Sequence, residues 1–288
     1  MKQNEKATLS ANEQARQSGN EAWWTDQTMS YDWRETVAHE KYSLPWFDEI
    51  DARFVFGARL FTDPARPFAE MMRADQLAGK RVLEIGCGMG FHSELLVRAG
   101  AILTSVDLSQ TSVDATRRRF ELKGLSGDIR QMDAEQLDFP DDSFDFVWSW
   151  GVIHHSSHTG RIVRQIHRVL KPGGDAGVMV YSLDGMPAYI TMMTRYMLGF
   201  WTGKASLDEL LWKSSDGFSA RHYTKDQWVD LVSLFFEVEE FRLCGQDADV
   251  VPVPRQLRPV LLKLLSAEKQ KRLAAKRGSM LFTRLKSI

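Results

Sequence analysis

The stretch Val82-Leu83-Glu84-Ile85-Gly86-Cys87-Gly88-Met89-Gly90-Phe91-His92 constrains what this chain can fold into more than any other. A short apolar run breaks into three alternate glycines and then into a helix-like sequence, the pattern of a buried strand, a tight turn and a helix. Glycines at such a turn let a ligand lie directly on the backbone, because no Cβ stands in the way. Spacing narrows the ligand. The dinucleotide fingerprint needs a glycine two intervening residues after its second glycine, and Phe91 holds that place here.

The segments that follow alternate in the manner of an open α/β sheet. Ser93 to Ala99 reads as a helix closed by Gly100, and Ala101 to Val106 as a second buried strand. That strand ends at Asp107, 17 residues after Gly90. A carboxylate at the end of the second parallel strand lies beside the first turn, where it can accept hydrogen bonds from both hydroxyls of a ribose. This suits NAD and S-adenosylmethionine equally. Ser109 is in the better position to cap the helix from Thr111 to Leu122. A third strand near Asp128 to Met132 ends in Asp133-Ala134, and Phe146 to Trp150 is a fourth.

Three runs give the chain a family resemblance: Glu84-x-Gly86-x-Gly88-x-Gly90, then Asp133-Ala134 with Leu137-Asp138-Phe139-Pro140-Asp141-Asp142-Ser143-Phe144-Asp145, then Lys171-Pro172-Gly173-Gly174. With these, Lys80 to about Ser182 resembles the class I S-adenosylmethionine-dependent methyltransferases of the menaquinone and ubiquinone C-methylase type (methyltransferase type 11). The resemblance implies an α/β fold: a Rossmann-like, seven-stranded, mostly parallel sheet, its last strand antiparallel beside the fifth, with helices on both faces. It also implies S-adenosylmethionine as cofactor and S-adenosylhomocysteine as product. On it, Asp133 accepts a hydrogen bond from the adenine amino group, the Ala134 backbone meets the ring edge, and Glu84 to Gly90 hold the amino-acid end. The implied cofactor-binding set is Glu84, Gly86, Cys87, Gly88, Gly90, Asp107, Leu108, Asp133, Ala134 and Trp150.

Gly151-Val152-Ile153-His154-His155 leaves the fourth strand at the carboxyl edge of the sheet, where open α/β sheets bind ligands. His154 and His155 are therefore candidate general bases, while capping of the next helix is their structural alternative. Adjacent histidines diverge on most backbones and no carboxylate recurs at ligand spacing, so no metal site is expected.

Around this core, residues 1–20 are polar and read as a disordered N-terminus or a loosely held helix, and residues 21–78 as an aromatic-rich helical cap. Residues 79–183 form the cofactor-binding core, 184–226 a lid or substrate insertion after the fifth strand, and 227–288 the rest of the sheet. Tyr31 and Trp33 from the cap, and Met192, Tyr196, His222 and Tyr223 from the insertion, are candidate substrate contacts. Val260 to Lys276 reads as one basic amphipathic helix with a solvated outer face, membrane-surface contact being the alternative.

Lys plus Arg number 37 against 38 Asp plus Glu, so nothing points to a nucleic-acid partner. The two cysteines, Cys87 and Cys244, lack metal- or redox-type spacing, and no segment reads as a secretion signal or membrane span. A cytoplasmic protein is expected, with a small-molecule acceptor as partner; a homodimer is allowed for. The function expected is methyl transfer to an apolar or aromatic small molecule. An NAD-linked oxidoreductase and a non-catalytic binding protein on the same fold are the alternatives.

Overall fold

The computed structural model describes residues 11–30, 36–185, 190, 197 and 217–288 of the protein. Among the described residues, the α-helices α1 (Ala11–Asp26), α2 (Leu44–Ala58) and α3 (Ala69–Met72) precede the sheet. The core then runs β1 (Arg81–Ile85), α4 (Phe91–Arg98), β2 (Ile102–Asp107), α5 (Gln110–Lys123), β3 (Asp128–Gln131), β4 (Phe144–Trp150), α6 (Thr159–Val169) and β5 (Leu170–Ser182). After the insertion come β6 (His222–Tyr223), α7 (Lys225–Val232), β7 (Phe236–Cys244), α8 (Asp247–Val250), α9 (Arg258–Leu262), α10 (Ala267–Arg277) and β8 (Met280–Ser287).

The main path of the sheet is β3-β2-β1-β4-β5-β8-β7. The pairs among β1 to β5 are parallel, and β8 runs antiparallel between β5 and β7, as expected from the sequence. The two-residue β6, which pairs in parallel with the end of β5, is an addition to the expected seven strands.

Side-chain alternation sends neighbouring residues of each strand to opposite faces, and both faces are covered. Leu83, Ile85, Val178, Val180, Leu281 and Leu285 pack with Ile162, Val163 and Ile166 of α6 and with Trp228 and Val232 of α7. Val82, Trp148, Met179 and Phe282 pack on the other side with Leu96 of α4, Val113 and Phe120 of α5, and Met71 and Met72. Trp228 satisfies its indole N–H on Thr283 Oγ1 at 3.0 Å, so a polar group is buried at little cost.

One open reading is narrowed and one expectation changes. Residues 11–20 belong to the helix α1, which is anchored at Asn20 by a 2.7 Å hydrogen bond from Nδ2 to the His155 carbonyl. The helix expected over Val260–Lys276 is instead α9 and α10, because Ser266 caps a new helix by accepting the Lys269 N–H. Tyr31, Trp33, Met192 and Tyr196 lie outside the described residues.

Candidate functional site

The first turn is built as its glycines require. Gly86, Gly88 and Gly90 have φ of 87°, 52° and 78°, in the left-handed region that L side chains rarely adopt. At Gly86 a Cβ would also fall 2.2 Å from Val152 Cγ2. At Gly88 a Cβ would meet nothing within 4 Å, so this glycine's surface faces open space. That space is a cavity of about 1180 Å³ along the carboxyl edge of the sheet. One stretch of its wall is Ile85 to Met89, and others are Asp107-Leu108, Met132 to Ala134, Trp150 to Val152, and Met179 with Tyr181.

Asp107 is fixed at the end of β2. Its Oδ2 accepts the Gly88 N–H at 3.0 Å and its Oδ1 accepts the Ser109 N–H at 2.9 Å, while Ser109 itself caps α5. Burial raises its pKa from the ordinary value, against these backbone donors. Asp133 accepts the Glu135 N–H at 2.9 Å on one oxygen and the Gln17 side-chain amide at 3.0 Å on the other. Burial raises its pKa as well. Cys87, Leu108, Ala134 and Trp150 line the same cavity.

Glu84 and Gly90 do not line it. Glu84 is buried beneath the turn, where Oε2 accepts hydroxyl hydrogen bonds from Ser93 and Ser105 and Oε1 has no partner among the described residues. Desolvation raises its pKa to about 7. Gly90 starts α4, close against Thr116 and Arg119. Arg119 is buried and binds Asp51 of α2, Glu94 of α4 at 2.7 Å and the Met89 carbonyl at 3.3 Å, tying three helices behind the glycine turn.

The histidine pair is parted by the structure. His154 is 0% exposed, does not line the cavity, and packs between His155 and Tyr181 at ring distances of 4.2 and 4.0 Å. Neither of its ring nitrogens has a partner among the described residues, and burial holds its pKa well below the ordinary range. His155 does line the cavity. Its Nδ1 lies 2.7 Å from the Ser219 carbonyl, which can only accept, so Nδ1 carries the hydrogen and Nε2 keeps its lone pair. Burial lowers its pKa to about 4. Of the two insertion residues described, His222 lines the cavity, while Tyr223 packs on Trp228 at 5.3 Å.

Several lining residues were not singled out as site residues from the sequence, Trp24, Phe54 and Phe56 being read only as aromatics of the cap. Gln17, Asn20 and Trp24 of α1 cover one side, and Phe54, Phe56, Phe91 and His92 form an aromatic wall. His92 sits 4.5 Å from the Phe68 ring and 5.4 Å from that of Phe54, and burial lowers its pKa to about 3, leaving it neutral. At the β7–β8 end, Gln246, Asp249, Arg258, Ser279 and Met280 close the cavity. Asp249 is buried; its Oδ2 accepts the Gln246 N–H at 2.7 Å and the Ser279 hydroxyl at 3.2 Å, while Oδ1 has no partner among the described residues. Desolvation raises its pKa to about 6. The signal was present: Asp247-Ala248-Asp249 follows directly on a strand's carboxyl end.

Residues 83–177 match the family described as a methyltransferase domain. A phthiotriol/phenolphthiotriol dimycocerosates methyltransferase of Mycobacterium ulcerans is 35% identical over 137 residues, 46% of this chain and 50% of that protein. A ubiquinone biosynthesis O-methyltransferase of Pseudomonas aeruginosa is 37% identical over 100 residues, 34% of this chain and 43% of that one. The chain thus spans about half the length, or less, of the curated relatives it matches. A solved S-adenosylmethionine-dependent methyltransferase from Mesorhizobium loti superposes with a TM-score of 0.52 at 19% identity, over 76% of this chain and 97% of that one. The [4+2]-cyclase SpnF does so with a TM-score of 0.53 at 21% identity, over 84% and 81%. One fold therefore serves proteins with different names, and the reaction has to be argued from the site.

The cofactor of the Mesorhizobium loti enzyme that shares this fold is S-adenosylmethionine. The residues present fit it: the open surface of Gly88 and the carboxylates of Asp107 and Asp133 border one cavity. Residues 83–177 are accordingly similar to a methyltransferase domain, and the sheet around them has the fold of the solved Mesorhizobium loti enzyme.

Proposed function

We propose that this chain transfers a methyl group from S-adenosylmethionine to a small apolar or aromatic molecule. One observation carries the reading: the glycine turn, Asp107, Asp133-Ala134, His155 and an aromatic wall all border a single cavity at the carboxyl edge of the sheet. When bound, the cofactor supplies an electrophilic methyl group on a sulfonium sulfur. The backbone of Gly86 to Gly88 would hold its amino-acid end, Asp107 the ribose hydroxyls, and Asp133 with the Ala134 backbone the adenine.

The rest of the chemistry falls to this chain's own side chains. Phe54, Phe56, Trp150, Met179 and Met280 offer apolar surface that suits an aromatic acceptor and excludes water from the reacting centre. His155, neutral at working pH and with the lone pair left on Nε2, can accept a hydrogen bond or proton from an acceptor hydroxyl. Asp249 can receive a hydroxyl or amine at the far end of the cavity. Holding donor and acceptor in line supplies most of the rate, because a methyl transfer of this kind needs alignment more than proton movement.

The test is incubation with methyl-labelled S-adenosylmethionine and a panel of phenols, quinols, amines and thiols, with product identified by mass. Label in an acceptor together with S-adenosylhomocysteine supports the reading. Cofactor binding without label in any acceptor, across the panel and in cell extracts, would overturn it.

A further inference from the structure

The helices α9 and α10 carry an outer face that the site does not use. Leu257, Val260, Leu261 and Leu264 follow helical spacing on one side and are 58, 64, 37 and 77% exposed, while Leu262, turned inward, packs with Leu60, Val250, Val251 and Ala274. Four large apolar side chains left in water at one place mark a contact surface rather than a scatter of exposed residues.

The charges around them are one-sided. From Arg255 to Arg277 the chain has eight Lys or Arg and a single acidic residue, Glu268. The whole protein is nearly neutral, with a net charge of -1, so this short stretch is a strongly basic island on an otherwise acidic molecule. Lys263, Lys269, Lys271, Arg272 and Lys276 are exposed, and none of them is held in an ion pair among the described residues.

We infer that this face docks on an anionic lipid surface, with Leu257, Val260, Leu261 and Leu264 entering the headgroup layer and the flanking lysines and arginines meeting lipid phosphates. A nucleic acid would use the cations but would leave the leucines and valine without a partner. A second copy of the chain would bring two basic islands face to face. An interfacial helix pair satisfies both halves of the pattern. No helix among the described residues is long and apolar enough to cross a membrane, so the contact is with the surface.

The docking face adjoins the cavity. Phe56, 62% exposed, and the exposed Arg255 both line the cavity, so it reaches the surface beside Leu257. If the methyl-transfer reading holds, an acceptor dissolved in the bilayer enters here; the docking itself does not depend on that reading.

The experiment is co-sedimentation of the full chain with vesicles of phosphatidylcholine alone and of phosphatidylcholine with phosphatidylglycerol. The wild type is expected to pellet with the anionic vesicles, to be released by salt, and to bind neutral vesicles at least about tenfold more weakly. Val260→Asp with Leu264→Asp should cut anionic-vesicle binding about tenfold or more. So should Lys263→Glu with Lys269→Glu and Lys271→Glu; both sets lie on the exposed surface, and Tm and calorimetric binding of S-adenosylmethionine should stay unchanged. No pelleting of the wild type, full binding by either variant, or tighter binding to a DNA or RNA oligonucleotide than to anionic vesicles would overturn the docking. So would a dimer in solution that V260D with L264D dissociates. Loss of cofactor binding in the wild type would instead count against the methyl-transfer reading alone.

Discussion

At the scale of single residues, buried ionisable groups set much of the behaviour of the site. Glu84 sits under the glycine turn with its pKa raised to about 7 by desolvation. A carboxyl whose folded pKa lies above its unfolded value stabilises the fold fully below about pH 4.5, and that contribution is lost as pH rises through about 7. Glu84→Gln removes the dependence. The wild type should therefore lose stability relative to Glu84→Gln between pH 5 and 8, by up to about 3 kcal/mol, read from denaturant midpoints at each pH. A constant difference across that range would show that Glu84 is ionised throughout. His155 makes a different prediction, since it lines the cavity while His154 does not. His155→Ala should lower kcat by about a hundredfold or more if the acceptor must lose a proton, with cofactor affinity little changed. The sequence could name the pair but not divide it, because which of two neighbours faces a cavity depends on contacts such as that of His155 with Ser219, 64 residues away.

At the scale of elements, Arg119 joins α2, α4 and α5 through Asp51 and Glu94. It lies behind Gly90, so the pose of the turn rests on it. Removing this buried charge takes the ion-pair partner from Asp51, while Glu94 keeps Arg98 and Lys123. Arg119→Met should cost about 3–5 kcal/mol of unfolding free energy, measured by urea denaturation. The strand-turn-helix signature and the Ser109 cap were legible in sequence because each is set within a few residues. The cover that α1 gives the cavity was not. Its polar sequence reads as disordered or as a loosely held helix, and its order comes from Gln17 reaching Asp133 across 116 residues and from Asn20 on the His155 carbonyl. The break between α9 and α10 was also hidden, since Ser266 lies in a stretch whose apolar spacing continues across it.

At the scale of the molecule, the strand order was accessible because repeated strand-helix pairs with short connections permit few arrangements, and the parallel core forces ligands to the carboxyl edge. The cofactor half of the site follows from that geometry, since Gly86, Gly88, Asp107 and Asp133 all stand at strand ends. The acceptor half did not, because it is assembled from α2, the end of β5 and the α8–β8 region, which are far apart in the chain and lack a shared motif. Asp249 belongs to that half. Its pKa is raised to about 6 by burial, so on the proposed reading Asp249→Asn should remove the part of the KM profile that titrates near pH 6 without changing cofactor affinity. The most direct test of the proposed site is isothermal titration of the wild type and Asp107→Ala with S-adenosylmethionine, S-adenosylhomocysteine and NAD. Binding of the first two but not of NAD, weakened at least about tenfold in Asp107→Ala, is the predicted result. Binding of NAD in their place, or equal affinity in wild type and variant, would contradict it.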